Sequence, residues 1–125
     1  MKECDLKLTE AVIGCAIEVH RTLGPGLLES TYEKCLAHEM NLQDIPFKCQ
    51  HSMPITYKGI NLDCGYRLDF IVDECLVLEL KSVEKLLKVH EAQILTYLKL
   101  TELSTGLLMN FNESRLAKGI KRYQR

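Results

Sequence analysis

Apolar residues recur at helical spacing from Leu8 to Leu23, with Val12, Ala16, Val19 and Leu23 on one face, and predict an amphipathic helix. Gly24-Pro25-Gly26 ends it, because two glycines and a proline cannot continue a helix. A second helix is expected over Leu27 to Gln43, its stripe made by Leu28, Tyr32, Cys35, Leu36 and Met40. After Pro46 the pattern changes. Phe47 to Tyr57 reads as strand segments around Pro54, and Lys58-Gly59 suits a turn into Ile60–Leu62. Tyr66 to Val72 and Cys75 to Val83 follow as two strands joined by a tight connection at Asp73-Glu74. A third helix is expected over Val89 to Leu100, a short buried strand over Gly106 to Phe111, and a final helix from Glu113 to about Tyr123. This order predicts an α/β fold, a central mixed β-sheet flanked by helices. With no repeat, linker or low-complexity stretch, residues 1–125 read as one domain.

One strand carries unusual chemistry. In Cys75-Leu76-Val77-Leu78-Glu79-Leu80-Lys81 alternation puts three leucines on one face and Val77, Glu79 and Lys81 on the other. Charges in a central strand are costly unless paired or bound to a metal. A Glu–Lys ion pair on a wet sheet face is the plain alternative. The preceding strand puts Arg67, Asp69 and Ile71 on one face, with Asp69 ten positions before Glu79. In a hairpin the two carboxylates oppose each other only if the connection has an odd number of residues. A three- or five-residue loop, or a bulge, is therefore expected near Asp73–Cys75. Carboxylate oxygens suit Mg²⁺ (or Mn²⁺), which keeps several waters and needs few protein ligands. Such an ion polarises a phosphodiester and acidifies bound water, while Lys81 orients the water or stabilises charge on the phosphate.

Asp69 followed by Glu79-Leu80-Lys81 resembles the D…ExK core of the PD-(D/E)XK nuclease superfamily. Downstream, His90-Glu91-Ala92-Gln93-Ile94-Leu95-Thr96-Tyr97 contains Gln93 and Tyr97, similar to the QxxxY helix motif of its RecB-like branch, and four-residue spacing puts both on one helix face. Gly26-Leu27-Leu28-Glu29-Ser30-Thr31-Tyr32 is similar to the signature of the GxxExxY family. The resemblance runs from Ile13 to about Ile120, and one departure is that Gly65-Tyr66-Arg67-Leu68-Asp69 lacks the superfamily's proline, which is variable there. It implies a restriction-endonuclease-like core and a metal-dependent nuclease acting on nucleic acid, DNA being the expected kind. It also implies a catalytic set of Glu29, Asp69, Glu79, Lys81, Gln93 and Tyr97, with Glu29, Asp69 and Glu79 on the metal. A first-turn acid stabilising a helix start is the plain alternative for Glu29. Tyr32 shares its helix face and equally suits the core. His90, one turn before Gln93, borders the cleft or the surface.

Composition adjusts this picture. Hydrophobic residues are 46% and charged residues 26% of the chain, a globular balance, and no apolar run is long enough to span a membrane. No secretory leader is visible at Met1, so a cytoplasmic location is expected. The six cysteines form no CxxC pair and read as reduced, mostly small core residues; the scattered histidines form no HExxH, so zinc is not the expected metal. Net charge is −1, so nucleic-acid binding requires a local basic patch. Arg115, Lys118, Arg122 and Arg125 recur near helical spacing on the expected last helix and are the candidate patch; a solvated helix face is the alternative. A chain this small suggests a homodimer or larger complex. Two other functions fit the residues: a non-catalytic nucleic-acid-binding module on the same fold, or a protein-interaction module in which Glu79 and Lys81 are simply an ion pair.

Overall fold

The computed structural model describes residues 4–125; the first three residues of the expected domain lie outside the described ones. Two helices, α1 (Leu6–Leu23) and α2 (Glu29–Leu42), precede β1 (Phe47–Ser52), β2 (Ile55–Tyr57), β3 (Ile60–Leu62), β4 (Arg67–Val72) and β5 (Leu76–Lys81). Helix α3 (Lys88–Thr101), β6 (Thr105–Asn110), a short 3₁₀ turn at Leu116–Gly119 and β7 (Ile120–Gln124) complete the order. Asp5 caps α1, its carboxylate accepting from the Leu8 N–H at 2.7 Å.

The main sheet has the order β1-β4-β5-β6-β7, with β5 and β6 parallel and the remaining neighbours antiparallel. Helices α1 and α2 cover one face. Val12, Ala16, Val19, Leu36 and Met40 pack there against Phe70, Leu76, Leu78, Leu80, Leu107 and Met109. Helix α3 covers the other face, with Ile94, Tyr97 and Leu98 against Leu68, Val77 and Leu108. Gly106 lets α3 come close: a Cβ there would lie 3.0 Å from Ile94 Cδ1. The result is the expected mixed sheet between helical layers. Among the described residues no helix is long and apolar enough to cross a membrane.

The chain's end departs from expectation. Glu113 to Tyr123 is not a helix but the 3₁₀ turn followed by β7, which pairs antiparallel with β6 from Thr105↔Gln124 to Met109↔Ile120. The spacing of Leu116, Ile120 and Tyr123 mimics a helical stripe. However, β6 is buried along its whole length and leaves an unpaired backbone edge that β7 satisfies. Pairing outweighs local periodicity here.

The cysteines also need a correction. Cys4 and Cys75 form a disulfide that joins the chain just before α1 to the β4–β5 connection, with Cα atoms 5.4 Å apart across 71 positions of sequence. Only the fold brings them together, so spacing carries no sign of it. Cys15, Cys35, Cys49 and Cys64 remain free thiols, with Cys15 buried as expected.

Candidate active site

The β4–β5 hairpin has the predicted register. Phe70 faces Leu78, Ile71 faces Val77 and Val72 faces Leu76, so Asp73, Glu74 and Cys75 form a three-residue connection. Asp73 and Glu74 both take left-handed backbone angles (φ 49° and 58°), and the Cys75 N–H donates to Val72 O at 3.0 Å. Continuing the register brings Asp69 opposite Glu79. There the backbone ladder stops and side chains replace it. The Glu79 carboxylate accepts from the Asp69 N–H at 3.0 Å, and Asp69 Oδ2 accepts from the Leu80 N–H at 2.8 Å. The strand turns over at this point: Leu68 packs in the α3 layer while Phe70 packs with α1 and α2. On the neighbouring strand, Gln50 stands opposite Asp69 in the register and has φ 51°. This local distortion frees the amides that the carboxylates occupy.

Burial and mutual repulsion dominate the electrostatics. Glu79 is 4% exposed. Its desolvation, with the neighbouring Asp69 charge, pushes its pKa up to about 8. Desolvation also raises Asp69, against the Leu80 amide, its hydrogen bond to the Glu79 carboxyl and the Lys81 charge, all of which hold it down. A proton on one of the two acids relieves the repulsion between them, so they titrate as a pair. Lys81 is partly buried two residues beyond Glu79 on the same strand face, and its charge favours ionisation of both acids.

Helix α3 closes the site from above. Tyr97 is buried, hydrogen-bonded to Gln93, and raised by desolvation and by the charges of Glu79 and Asp69. The structure thus brings Gln93 and Tyr97 beside the acidic pair. His90 does other work: its Nδ1 accepts from the Leu87 N–H at 2.9 Å and caps the start of α3.

Glu29 approaches from the first turn of α2. Its Oε2 accepts from the Ser82 N–H at 3.4 Å, while Ser82 Oγ donates to Leu27 O at 2.7 Å. These bonds tie the α2 start to the end of β5, with Glu29 exposed at the rim of the site. The expected three-carboxylate set is not assembled around one point. Among the described residues no three His, Cys, Asp or Glu side chains are grouped to hold a metal by themselves. Asp69 and Glu79 do offer a minimal set of hard oxygen donors, enough for a divalent ion completed by water and a substrate phosphate. A cation between the two acids relieves the same repulsion, so the residues fit such an ion.

Tyr32 lies in the core rather than the site. It is fully buried, stacks on Phe111 with centroids 4.6 Å apart, donates to Gly24 O at 2.6 Å and accepts from the Leu27 N–H at 3.1 Å. It therefore pins the loop in which Gly26 takes φ 100° and from which Glu29 emerges. Glu33, one helical turn after Glu29, was missed by sequence reasoning. It accepts from Gln50 Nε2 at 2.7 Å, and is raised by desolvation and, more weakly, by the charges of Asp69 and Glu29. The four-residue spacing of Glu29 and Glu33 was the available signal.

The basic stripe is not there. Without the last helix, Arg115 and Lys118 belong to the 3₁₀ turn region and Arg122 to β7. Arg122 pairs with Leu107, whose side chain packs with α1 and α2, on the face away from Glu79. Arg125 donates to Leu98 O at 2.9 Å at the end of α3. The four cations therefore do not form a stripe along one helix.

No curated protein and no solved structure matches the chain. A family model for the PD-(D/E)XK nuclease superfamily matches residues 6–123, covering the sheet, all three helices and both carboxylates. On that match and this fold, the chain belongs to the PD-(D/E)XK nuclease superfamily.

Proposed function

We propose that this protein is a divalent-metal-dependent nuclease that hydrolyses nucleic-acid phosphodiester bonds, with DNA as the expected substrate. The observation that carries the reading is the buried Asp69–Glu79 pair, built into a distorted hairpin and bordered by Lys81. Burying two adjacent acids costs stability, and a purely structural hairpin needs neither.

Asp69 and Glu79 would hold the ion, Mg²⁺ or Mn²⁺, and Glu29 would reach it through water or by leaving Ser82. When bound, the ion supplies charge neutralisation at the phosphate and a more acidic water. Lys81, on the same strand face, places its ammonium where charge develops on the transferring phosphate. Tyr97 and Gln93 form one wall that excludes bulk water from the acids, and Gln93 offers its amide to the substrate backbone. Glu33 adds negative potential at the α2 side and favours cation binding there. The GxxExxY signature gains a physical meaning in this reading: the glycine shapes the loop, the glutamate faces the site, and the tyrosine fixes the loop to the core.

Cleavage of labelled single- and double-stranded DNA and RNA with Mg²⁺ or Mn²⁺ tests the proposal, with Glu79→Gln purified identically as control. Metal-dependent cleavage lost in the variant is the expected result. Equal cleavage by both proteins assigns the activity to a contaminant or another site and rejects this one.

A further inference from the structure

Residues 56–67 are exposed throughout and contain most of a two-stranded ribbon, β2–β3, that pairs with no other strand. Its register sets Ile55 opposite Leu62, Thr56 opposite Asn61 and Tyr57 opposite Ile60. Cross-strand partners share a face. One face is therefore hydrophobic, made of Ile55, Leu62, Ile60 and the Tyr57 ring, and the other carries Thr56, whose hydroxyl donates to Asn61 Oδ1 at 2.6 Å. The apolar face is left largely uncovered: Tyr57 is 60%, Ile60 61% and Leu62 43% exposed, with only the Lys58 ammonium placed over the Tyr57 ring, 5.5 Å from its centroid. Such a ribbon is marginal in water on its own and gains stability from a covering surface.

A groove of about 840 Å³ lies beside the ribbon's root, away from Asp69 and Glu79. Phe47, Met53, Ile71, Leu100 and Leu103 line it, with Glu74 of the β4–β5 connection among the charged residues. Its wall includes Thr56, from the ribbon's polar face, whereas Tyr57, Ile60 and Leu62 take no part. The ribbon thus turns its polar side to its own groove and its apolar side away. One chain cannot satisfy both surfaces.

We propose that two copies exchange these elements: the ribbon of each lays its apolar face into the groove of the other. Tyr57 and Ile60 meet the apolar lining, and Lys58 at the ribbon's turn reaches Glu74 at the partner's β4–β5 connection, where Asp73 and Glu74 outnumber the one lysine of the lining, Lys48. Cavities of ~300–1,000 Å³ take a drug-sized body, comparable with these side chains together. Ribbon and groove adjoin on one molecule, so a single twofold axis satisfies both contacts at once. Two contacts are needed, because one ribbon tip buries far less than the ~1,600 Å² of a standard interface. A second copy fits better than a phosphate backbone, since three of the four face residues are aliphatic and Lys58 is the one cation at the turn. This inference does not depend on nuclease activity.

Sedimentation velocity of the full chain across a concentration series tests it. The wild type is expected to sediment as a dimer at the higher concentrations. Tyr57→Ser/Ile60→Ser, both surface positions, is expected to weaken dimerisation at least about tenfold. Lys58→Glu and Glu74→Lys are each expected to weaken it, and the two together to restore it. A monomer at all concentrations overturns the proposal, as does a dimer indifferent to Tyr57→Ser/Ile60→Ser. A monomer whose nucleic-acid affinity falls in that double variant also overturns it and assigns the ribbon to substrate. Cleavage without dimerisation rejects this inference alone; dimerisation without cleavage rejects the nuclease reading alone.

Discussion

Glu79 is held between a protonated form that suits burial and a charged form that suits a cation. Its folded pKa of about 8 lies above the usual 4.5 of a glutamate, which the unfolded chain keeps. Between those values the native protein binds more protons than the unfolded one, so metal-free stability is greatest at the acidic side and falls as pH rises through the window. Glu79→Gln removes the charge and keeps an acceptor for the Asp69 N–H. Its melting temperature is expected to exceed that of wild type at pH 8, of the order of a few kcal/mol in stability, with the margin closing toward pH 5. Thermal melts without metal across that range check this; a variant less stable at pH 8 contradicts it. Lys81→Ala separates chemistry from binding: cleavage falls by roughly 10²–10³-fold while Mn²⁺ affinity stays within a few-fold. A parallel collapse of both would make Lys81 part of the cation site's architecture instead.

Elements position these residues, and their legibility varies with how local their causes are. The face shared by Glu79 and Lys81 follows from strand alternation alone, and the odd-numbered connection follows from requiring Asp69 on the same face. Neither needs tertiary information. The buried faces of α1 (Val12, Ala16, Val19) and α2 (Tyr32, Leu36, Met40) are local in the same way, although Leu23 and Leu28, expected on those stripes, are exposed. β7 was not legible, because its strand form is imposed by the open edge of β6. Glu33 is not legible either, because its partner Gln50 and its neighbour Asp69 come from distant strands. The Cys4–Cys75 disulfide is the extreme case, closing 71 positions with no local sign. By loop entropy Cys4→Ser is expected to cost about 2–4 kcal/mol, and reductant to shift the wild-type urea midpoint similarly. A midpoint unmoved by reductant would contradict that linkage. The loop before α2 is a second testable joint. Tyr32→Phe loses two hydrogen bonds at 2.6 and 3.1 Å and is expected to cost about 1–2 kcal/mol in urea unfolding, with weaker cleavage as Glu29 loosens.

At the scale of the whole molecule, a net charge of −1 gives no general pull on nucleic acid, and the cations expected on a last helix are divided between a 3₁₀ turn, β7 and the chain beyond it. In this account affinity for substrate comes through the site: acids gather a cation, and the cation with Lys81 gathers phosphate. Everything therefore turns on whether the Asp69–Glu79 pair exchanges a proton for a divalent ion. Calorimetric titration of Mn²⁺ into the metal-free protein at pH 7, in two buffers of different ionisation enthalpy, measures that exchange directly. Saturable binding by wild type with release of about one proton is expected, and loss of both in Glu79→Gln. Absence of binding, or identical binding and proton release in the variant, would contradict it.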